Sequence, residues 1–352
     1  MPKAKKNVPF NQVISALLDN DSPFSPTYLH RFSDINPEDL AELKKAWPQV
    51  SPQRREAVLE DLEELAESDT LVNFDDFSRS VLDDPNPRAR AAAIRLLWEC
   101  EDTRLVPVFI RMMEHDDDLV VRASAATAIG LFIYLGELEE ISDTVLKKVE
   151  ESLLTTVASQ DPALVRRRAL ESLGFSSRPE IPPIIKKAYE DGDKEWLASA
   201  LFAMGRSADS RWERSVLDKL EDSDTDVQLE AVRAAGALEL ESARQELLEL
   251  LASDTETDEE ITAAAIWSLS QIGGGNVRDA LEALLDHTDD DDLAEYIEQA
   301  LDNLNFTEEF PAFSMLDFDP QDKDKLDQII DLAEEDDEDD DEDKLSGKEH
   351  LN

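Results

Sequence analysis

The residues best suited to nucleophilic or metal chemistry in this 352-residue chain are four histidines and one cysteine. The histidines are His30, His115, His287 and His350, which lie far apart in the sequence. A metal site or an acid–base pair needs several such side chains brought close together, and short spacing is its usual sequence signal. We therefore predict no metal site, no cofactor and no catalytic residue.

The cysteine, Cys100, stands between Glu99 and Glu101. Nearby negative charges raise the pKa of a thiol, and the thiolate is the nucleophilic form. We therefore expect Cys100 to be unreactive. A single cysteine also excludes an internal disulfide and a zinc site built from several cysteines.

The segment DSDTD at 222–226 imitates the start of a calcium-binding loop. Such a loop needs glycine at its sixth position and glutamate at its twelfth, where this chain has Val227 and Arg233. The pattern therefore fails as a calcium site. The three glycines at 273–275 are typical of a turn between helices rather than of a phosphate-binding loop.

A ten-residue block recurs along the chain and governs its organisation. Strong copies start at 121, 165, 196 and 227, and weaker ones at 89, 261 and 293. Successive starts are separated by 32, 44, 31, 31, 34 and 32 residues. A period in this range indicates a stacked array of small helical units rather than one globular core.

Each block begins a helix after a turn rich in Asp, Pro or Ser, whose side chains can cap the free N–H groups of that helix. The fifth position is alanine in all copies but the last, and alanine lets a neighbouring helix approach closely. The tenth position is glycine in the strong copies. That glycine either ends the helix or relieves crowding against the next unit.

A second apolar segment with helical periodicity precedes the block, for example at 105–115, 243–253 and 277–287. A unit is therefore two antiparallel helices, and it must stack on its neighbours to bury both apolar faces. The 44-residue spacing indicates an insertion at 131–155, which we interpret as lengthened helices. They serve either a binding or dimer contact or no role of their own.

The repeat resembles the HEAT repeat, in particular the short HEAT-like repeats associated with phycobilisome lyases. An Asp-rich turn, Val-Arg, spaced alanines and a final Ile-Gly or Leu-Gly carry the resemblance at 118–130 and 161–174. It covers about residues 75–305. The resemblance implies an all-α fold, a right-handed α–α superhelix of the HEAT or armadillo type.

The resemblance also implies an arginine that bridges each unit to the acidic turn of a neighbour, here Arg122 and Arg166. Other residues replace it in the later copies, so we expect no continuous ladder; they are Leu197, Gln228, Thr262 and Ala294. The paired His-Glu dyads of the HEAT-repeat iron hydroxylase that modifies a lysine are absent, because no histidine here is followed by glutamate.

We divide the chain into four parts. Residues 1–50 form an N-terminal helical cap, and 51–305 form an array of about seven to eight helix pairs. Residues 306–333 are an extension of aromatic and acidic residues, which acts as a linear motif, folds back on the array or caps it. Residues 334–352 are predicted to be a disordered acidic tail.

The chain carries 83 acidic and 35 basic residues, a net charge of −48. Ten consecutive acids occupy 334–343, and without them the net charge is still −38. This field repels nucleic acid and anionic membranes and attracts basic proteins, although it also serves solubility alone.

No apolar run reaches membrane-spanning length, and the first residues lack the apolar segment of a signal peptide. These features predict a soluble cytoplasmic protein whose partner is a protein. The net charge favours a basic partner, and we expect neither nucleic acid nor a membrane.

The seventh position of the block points away from the buried stripe of its helix, towards the concave face of the array. We predict that its seven occupants form the partner-binding site: Arg95, Thr127, Glu171, Phe202, Arg233, Trp267 and Gln299. Aromatic residues beside arginines are typical of binding hot spots. Alternatively, Phe202 and Trp267 pack against a neighbouring unit or under the C-terminal extension.

The sequence therefore predicts a non-catalytic HEAT-repeat scaffold that binds a protein through its concave helix face. Two alternatives stay open. One is a maturation or lyase-type factor, which rests on analogy of fold alone. The other is a chaperone-like protein whose acidic tail takes up basic partners.

Overall fold

The computed structural model describes residues 8–253 and 258–309, and within them every regular element is helical. The predicted all-α solenoid is confirmed. Its α-helices are α1 (Phe10–Leu18), α2 (Pro37–Ala46), α3 (Pro52–Ser68), α4 (Asp75–Val81), α5 (Pro87–Arg95), α6 (Val106–His115), α7 (Leu119–Ala128), α8 (Gly130–Glu137), α9 (Asp143–Ala158), α10 (Ala163–Leu173), α11 (Ile181–Tyr189), α12 (Lys194–Arg206), α13 (Glu213–Leu217), α14 (Thr225–Ala237), α15 (Arg244–Ala252), α16 (Glu259–Ile272), α17 (Val277–His287) and α18 (Asp291–Glu309).

The recurring block forms the second helix of each pair. The second helices stack on one another in chain order: α5, α7, α10, α12, α14, α16 and α18. Helix α3 packs against α5 at the start of this stack. The first helices of the pairs are α4, α6, α9, α11, α13, α15 and α17. The fifth-position alanines are completely buried in this stack: Ala93, Ala125, Ala169, Ala200, Ala231 and Ala265. Small side chains here let successive helices pack closely.

Aspartates cap most of the second helices, as the acidic turns predict. The Asp118 carboxylate accepts hydrogen bonds from the backbone N–H groups of Val120 and Val121 at 2.9 and 3.2 Å. Asp193 and Asp224 cap α12 and α14 in the same manner. These bonds satisfy donors that have no partner within the helix.

The tenth-position glycines relieve crowding between units and do not end their helices by a left-handed residue. Gly205 and Gly236 lie inside α12 and α14. Each glycine of the strong copies faces the eighth position of the next block. A Cβ atom on the glycine would come within 2.5–3.1 Å of that residue. The pairs are Gly130 with Ser172, Gly174 with Ala203, Gly205 with Ala234, and Gly236 with Ser268.

The insertion forms the additional helix α8 and the long helix α9. With α7, α8 makes the apolar segment Leu119–Glu137, whose mean hydropathy reaches 1.7, long and apolar enough to cross a membrane by length and composition. The expectation that no run reaches this length was therefore wrong. More than half of the segment is buried in the array, and a core helix of a soluble protein passes the same test.

The N-terminal residues pack on the first helices through an aromatic cluster. Phe32 and Trp47 pack edge-on against Phe77, with ring centroids 4.9 and 5.2 Å away. The Trp47 indole also donates a hydrogen bond to Asp84 at 2.7 Å. Asp84 forms a buried ion pair with Arg55 of α3. This region therefore shares one core with the array.

The last described helix, α18, runs to Glu309, past the predicted end of the array at residue 305. Its Phe306 is 59% exposed. The rest of the predicted extension, the acidic tail at 334–352, His350 and the basic residues 1–6 lie outside the described residues.

Candidate functional site

The exposed surface of the stacked second helices forms one continuous face, which we call the second-helix face. Five predicted site residues are exposed on it: Arg95, Thr127, Arg233, Trp267 and Gln299. Phe202 is half-buried, and Glu171 is buried. The seventh position of the block therefore faces outward at both ends of the array, but not in the middle.

The expected exposure of Glu171 was wrong, because this side chain is only 5% exposed. Its carboxylate accepts a hydrogen bond from the Ser199 hydroxyl of the next second helix at 2.7 Å. It also forms an ion pair with Arg168 at 2.7 Å, one turn earlier on α10. The hydrogen bond from Ser199 and the ion pair with Arg168 offset the free-energy cost of burying this charge. Glu171 therefore joins two units rather than facing a partner.

Phe202 is covered by an arginine of its own helix. The Arg206 guanidinium lies 4.2 Å from the Phe202 ring centroid and 4.6 Å from that of Phe175. Burial lowers the pKa of Arg206 to about 10, while the charges of Glu171 and Glu230 oppose that shift. Arg206 therefore remains a cation at neutral pH, held between two aromatic rings.

An apolar groove of about 670 Å³ lies at the N-terminal end of the second-helix face, which we call the N-terminal groove. It crosses α3, α5, α7 and α10, and includes two predicted residues, Arg95 and Thr127. Arg95 pairs with Glu63 of α3 at 2.6 Å. Apolar side chains from three helices line its floor and walls, among them Ile94, Trp98, Val120 and Leu164.

Trp98 is the largest binding candidate that the seventh-position argument missed. Its side chain is 63% exposed, the most of any tryptophan among the exposed hydrophobic residues. It occupies the tenth position of the first block, where the strong copies have glycine. Helix α5 ends at Arg95 and continues as tight turns through Leu97 and Trp98. Tryptophan in place of a crowded glycine was a signal in the sequence.

A smaller hollow of about 230 Å³ lies at the other end of this face, which we call the C-terminal notch. It contains the predicted residues Arg233 and Trp267, together with Tyr296 of α18. The rings of Trp267 and Tyr296 have centroids 6.2 Å apart at 37°. Trp267 therefore packs partly on the next unit, as the alternative reading proposed, yet it remains 37% exposed.

The charge around the groove and the notch is close to balanced. The charged residues that line the groove and the notch, or contact the predicted site residues, are four arginines and five glutamates: Arg95, Arg168, Arg206, Arg233, Glu63, Glu67, Glu171, Glu230 and Glu260. The whole chain has 83 acids to 35 bases. Most of the acidic excess therefore lies outside the groove and the notch.

Glu230, which pairs with Arg233 beside the notch, has only one of its two carboxylate oxygens hydrogen-bonded. Arg233 donates a hydrogen bond to one of its carboxylate oxygens at 3.0 Å. The other oxygen is buried without a hydrogen-bond partner. Burial raises the pKa of Glu230 above its usual range, although Arg233 opposes the shift.

The arginine ladder is confirmed as discontinuous. Arg90 pairs with Asp116 and Arg122 with Asp161, each joining one unit to the acidic turn of the next. The next arginine, Arg166, instead lies 5.2 Å from the ring centroid of Trp196. From this unit on, other pairs join neighbouring units: Arg167 pairs with Glu195 at the start of α12, and Lys194 pairs with Asp224 in the next acidic turn, each at 3.0 Å.

The structure supports the predicted low reactivity of the cysteine. Burial, with a hydrogen bond involving Asp75, raises the pKa of the Cys100 thiol. The flanking glutamates are therefore not the main cause. Within residues 8–253 and 258–309, no group of three or more His, Cys, Asp or Glu side chains is placed to hold a metal ion.

A family model for HEAT repeats matches residues 76–158, 181–259 and 213–304, which together make up more than half of the chain. No curated protein matched the sequence. The sequence comparison therefore identifies the repeat without pointing to a particular activity.

Several solved structures are similar in fold. E. coli YibA is 17% identical with a TM-score of 0.41, over 82% of this chain and 98% of YibA. Human deoxyhypusine hydroxylase in complex with glycerol is 17% identical with a TM-score of 0.32, over 84% and 96%. Importin beta is 13% identical with a TM-score of 0.40, over 84% of this chain and 46% of importin beta. Sequence identities and TM-scores this low do not indicate the function of this chain.

Proposed function

The chain belongs to the HEAT-repeat family, and we propose that it is a non-catalytic scaffold that binds a protein partner along its second-helix face. The observation that carries the proposal is the N-terminal groove, which places the exposed Trp98 beside apolar residues of neighbouring units. Monomeric proteins rarely leave a large aromatic residue exposed beside other apolar groups, unless that surface binds something.

The chemistry of the groove favours a peptide segment over a small polar molecule. Its surface is mainly apolar. Arg95 and Glu63 form an ion pair at its edge, and their charged groups can form hydrogen bonds with the backbone or side chains of a bound peptide. A tryptophan in an apolar pocket with an arginine at the rim is the composition of interface hot spots. An extended or helical segment would place one or two apolar anchors beside Trp98.

The balanced charge of the N-terminal groove, with two arginines and two glutamates, bears on the identity of the partner. A basic partner, which the net charge favours, would be attracted to the acidic turns and to the tail at 334–352 rather than to the groove. We therefore assign recognition to the second-helix face and treat attraction of basic proteins as a separate, salt-sensitive property. A cytoplasmic location and the absence of nucleic acid remain predictions.

The experiment is capture from native lysate with the tagged full-length chain, followed by mass spectrometry. We expect the wild-type chain to retain a partner at near-stoichiometric amount at moderate salt. Trp98→Ala and Trp267→Ala together should lower its recovery at least tenfold, because they remove the two exposed aromatic anchors. Leu71→Ala is the matched control, since Leu71 is 87% exposed and lies outside the second-helix face.

Two results would oppose the proposal. Equal recovery of the partner by the wild-type chain and the double variant would show that this face is not the binding surface. A set of basic proteins that dissociates on raising the salt, with no stoichiometric partner, would instead favour the acidic chaperone-like alternative. A bound pigment or a coloured co-purifying protein would favour the maturation-factor alternative, which no geometry in the described residues otherwise supports.

A further inference from the structure

The C-terminal notch lies beside the point where the described chain ends. Helix α18 forms one wall of the notch through Tyr296, and it continues to Glu309. Gln299 and Phe306 are seven residues apart, so they lie on the same side of this helix. Phe306 is 59% exposed. The chain therefore leaves the described structure from a helix that already borders the notch.

The residues that follow α18 supply aromatic side chains that can pack in the notch. Residues 310–333 contain six acidic residues and two lysines, and their apolar side chains include Phe310, Phe313, Leu316 and Phe318. The notch offers an exposed tryptophan and the half-exposed Arg233, which already pairs with Glu230, and Glu260 also lines the notch. The aromatic side chains of the segment, rather than its carboxylates, are therefore what this notch suits.

The segment is long enough to reach this surface. Twenty-four extended residues span roughly 80 Å. Packed helices lie about 8–10 Å apart, so the two steps from α18 to α14, which bears Arg233, cover about 20 Å. Because the segment is tethered, its local concentration at the notch is on the order of millimolar, which makes even weak contacts effective.

We propose that residues 310–333 dock into the C-terminal notch of their own chain, with an aromatic side chain against Trp267. This inference rests on the proposed function, because it uses the same second-helix face. The docked segment occupies the C-terminal half of that face and competes with the partner for it. The N-terminal groove with Trp98 stays open.

The test uses a fluorescently labelled synthetic peptide of residues 310–333 and measures its anisotropy with full-length chains. One chain carries Phe310→Ser, Phe313→Ser, Leu316→Ser and Phe318→Ser, which should release its own segment. We expect this chain to bind the peptide at least tenfold more tightly than the wild-type chain, whose notch is occupied. Adding Trp267→Ala and Arg233→Glu to it should then lower peptide affinity at least tenfold.

Two further variants guard against a folding artefact. Gln299→Asp adds a negative charge at an exposed position near the notch, and it should weaken the peptide without disturbing the core. Trp98→Ala, the exposed tryptophan at the other end of the face, should leave peptide affinity unchanged. No saturable binding to the four-serine chain overturns the proposal, as does binding that responds to Trp98→Ala but not to Trp267→Ala.

The peptide titration and the lysate capture test the two proposals independently. If the peptide does not bind but the Trp98 and Trp267 variants still lose a captured partner, docking of the segment is wrong and the scaffold function stands. If the peptide binds at the notch but no partner is captured, the segment is the occupant of this face and the scaffold function is wrong.

Discussion

Gly174 of one second helix lies directly against the backbone of Ala203 in the next. A Cβ atom placed on Gly174 would come within 2.7 Å of the Ala203 carbonyl oxygen and 2.9 Å of its Cα. Real Cβ atoms do not approach backbone this closely, so the stacking distance between α10 and α12 depends on this glycine. The tenth-position glycine is thus part of the contact that joins consecutive units.

We predict that Gly174→Ala destabilises the chain by about 1–3 kcal/mol, because the two helices must separate to admit the methyl group. Gly205→Ala should cost less, since its nearest atoms would be 3.1 and 3.4 Å away and alanine favours a helix. Gly275→Ala, with nothing within 4 Å, is the control. Chemical denaturation measures all three. Equal stabilities of the Gly174 and Gly205 variants would contradict the close-approach account.

Among the carboxylates near the N-terminal end, Asp84 is the one whose substitution we expect to lower the free energy of unfolding most. It is almost fully buried, pairs with Arg55 and accepts the indole N–H of Trp47. Asp84→Ala leaves the Arg55 charge buried without its partner, so we expect a loss of about 3–5 kcal/mol. The neighbouring Asp83 is 93% exposed, and Asp83→Ala should change unfolding free energy by less than about 0.5 kcal/mol. Similar losses in both variants would disprove the role of the buried pair.

The bridge between Arg122 and Asp161 should make stability depend on pH. The Arg122 hydrogen bond holds the pKa of Asp161 below its ordinary 3.8. A carboxyl group whose pKa is lowered on folding stabilises the fold above its unfolded pKa, and this contribution is lost as pH falls through the lower folded pKa. Asp161→Asn should therefore cost about 1–2 kcal/mol at pH 7 and nearly nothing at the acid end.

Urea unfolding at pH 7 and at several values below pH 4 measures that difference. Asp191→Asn, at an exposed aspartate in a later turn, is the matched control and should have little effect at any pH. If the cost of Asp161→Asn is the same at every pH, the bridge does not contribute through its charge.

The net charge of −48 should make the fold more stable in salt. Repulsion among like charges opposes the compact state, and salt screens it over distances of about 8–10 Å at 0.1–0.15 M. We expect the melting temperature to rise between about 0.01 M and 0.5 M sodium chloride. A melting temperature that stays flat over this range would mean that the acids are already compensated locally.

The sequence predicted the helix pairs, their period and the acidic caps because each depends on local spacing and composition. It also predicted which end residues of the second-helix face are exposed, since Arg95, Arg233 and Trp267 follow simple helical geometry. The burial of Glu171 depends on Ser199 of the next unit, and no single block shows that contact.

The exposed Trp98 was missed for a different reason. Trp98 stands at the tenth position of its block, not the seventh, and reaches the surface because α5 ends at Arg95. The sequence did contain a signal, because tryptophan stands where the strong copies have a crowded glycine. The apolar groove itself could not be predicted, since its walls come from four helices whose lining residues range from Glu63 to Arg168.

The most direct test of the central claim is radical footprinting of the full-length chain, alone and bound to the partner captured from lysate. The account predicts that oxidation of Trp98 falls on binding, because the N-terminal groove is open in the free chain, whereas Trp267 is already covered by the docked segment. His115, whose side chain is 73% exposed at the end of first helix α6, should keep its reactivity. Unchanged oxidation of Trp98 in the complex would show that the partner binds another surface.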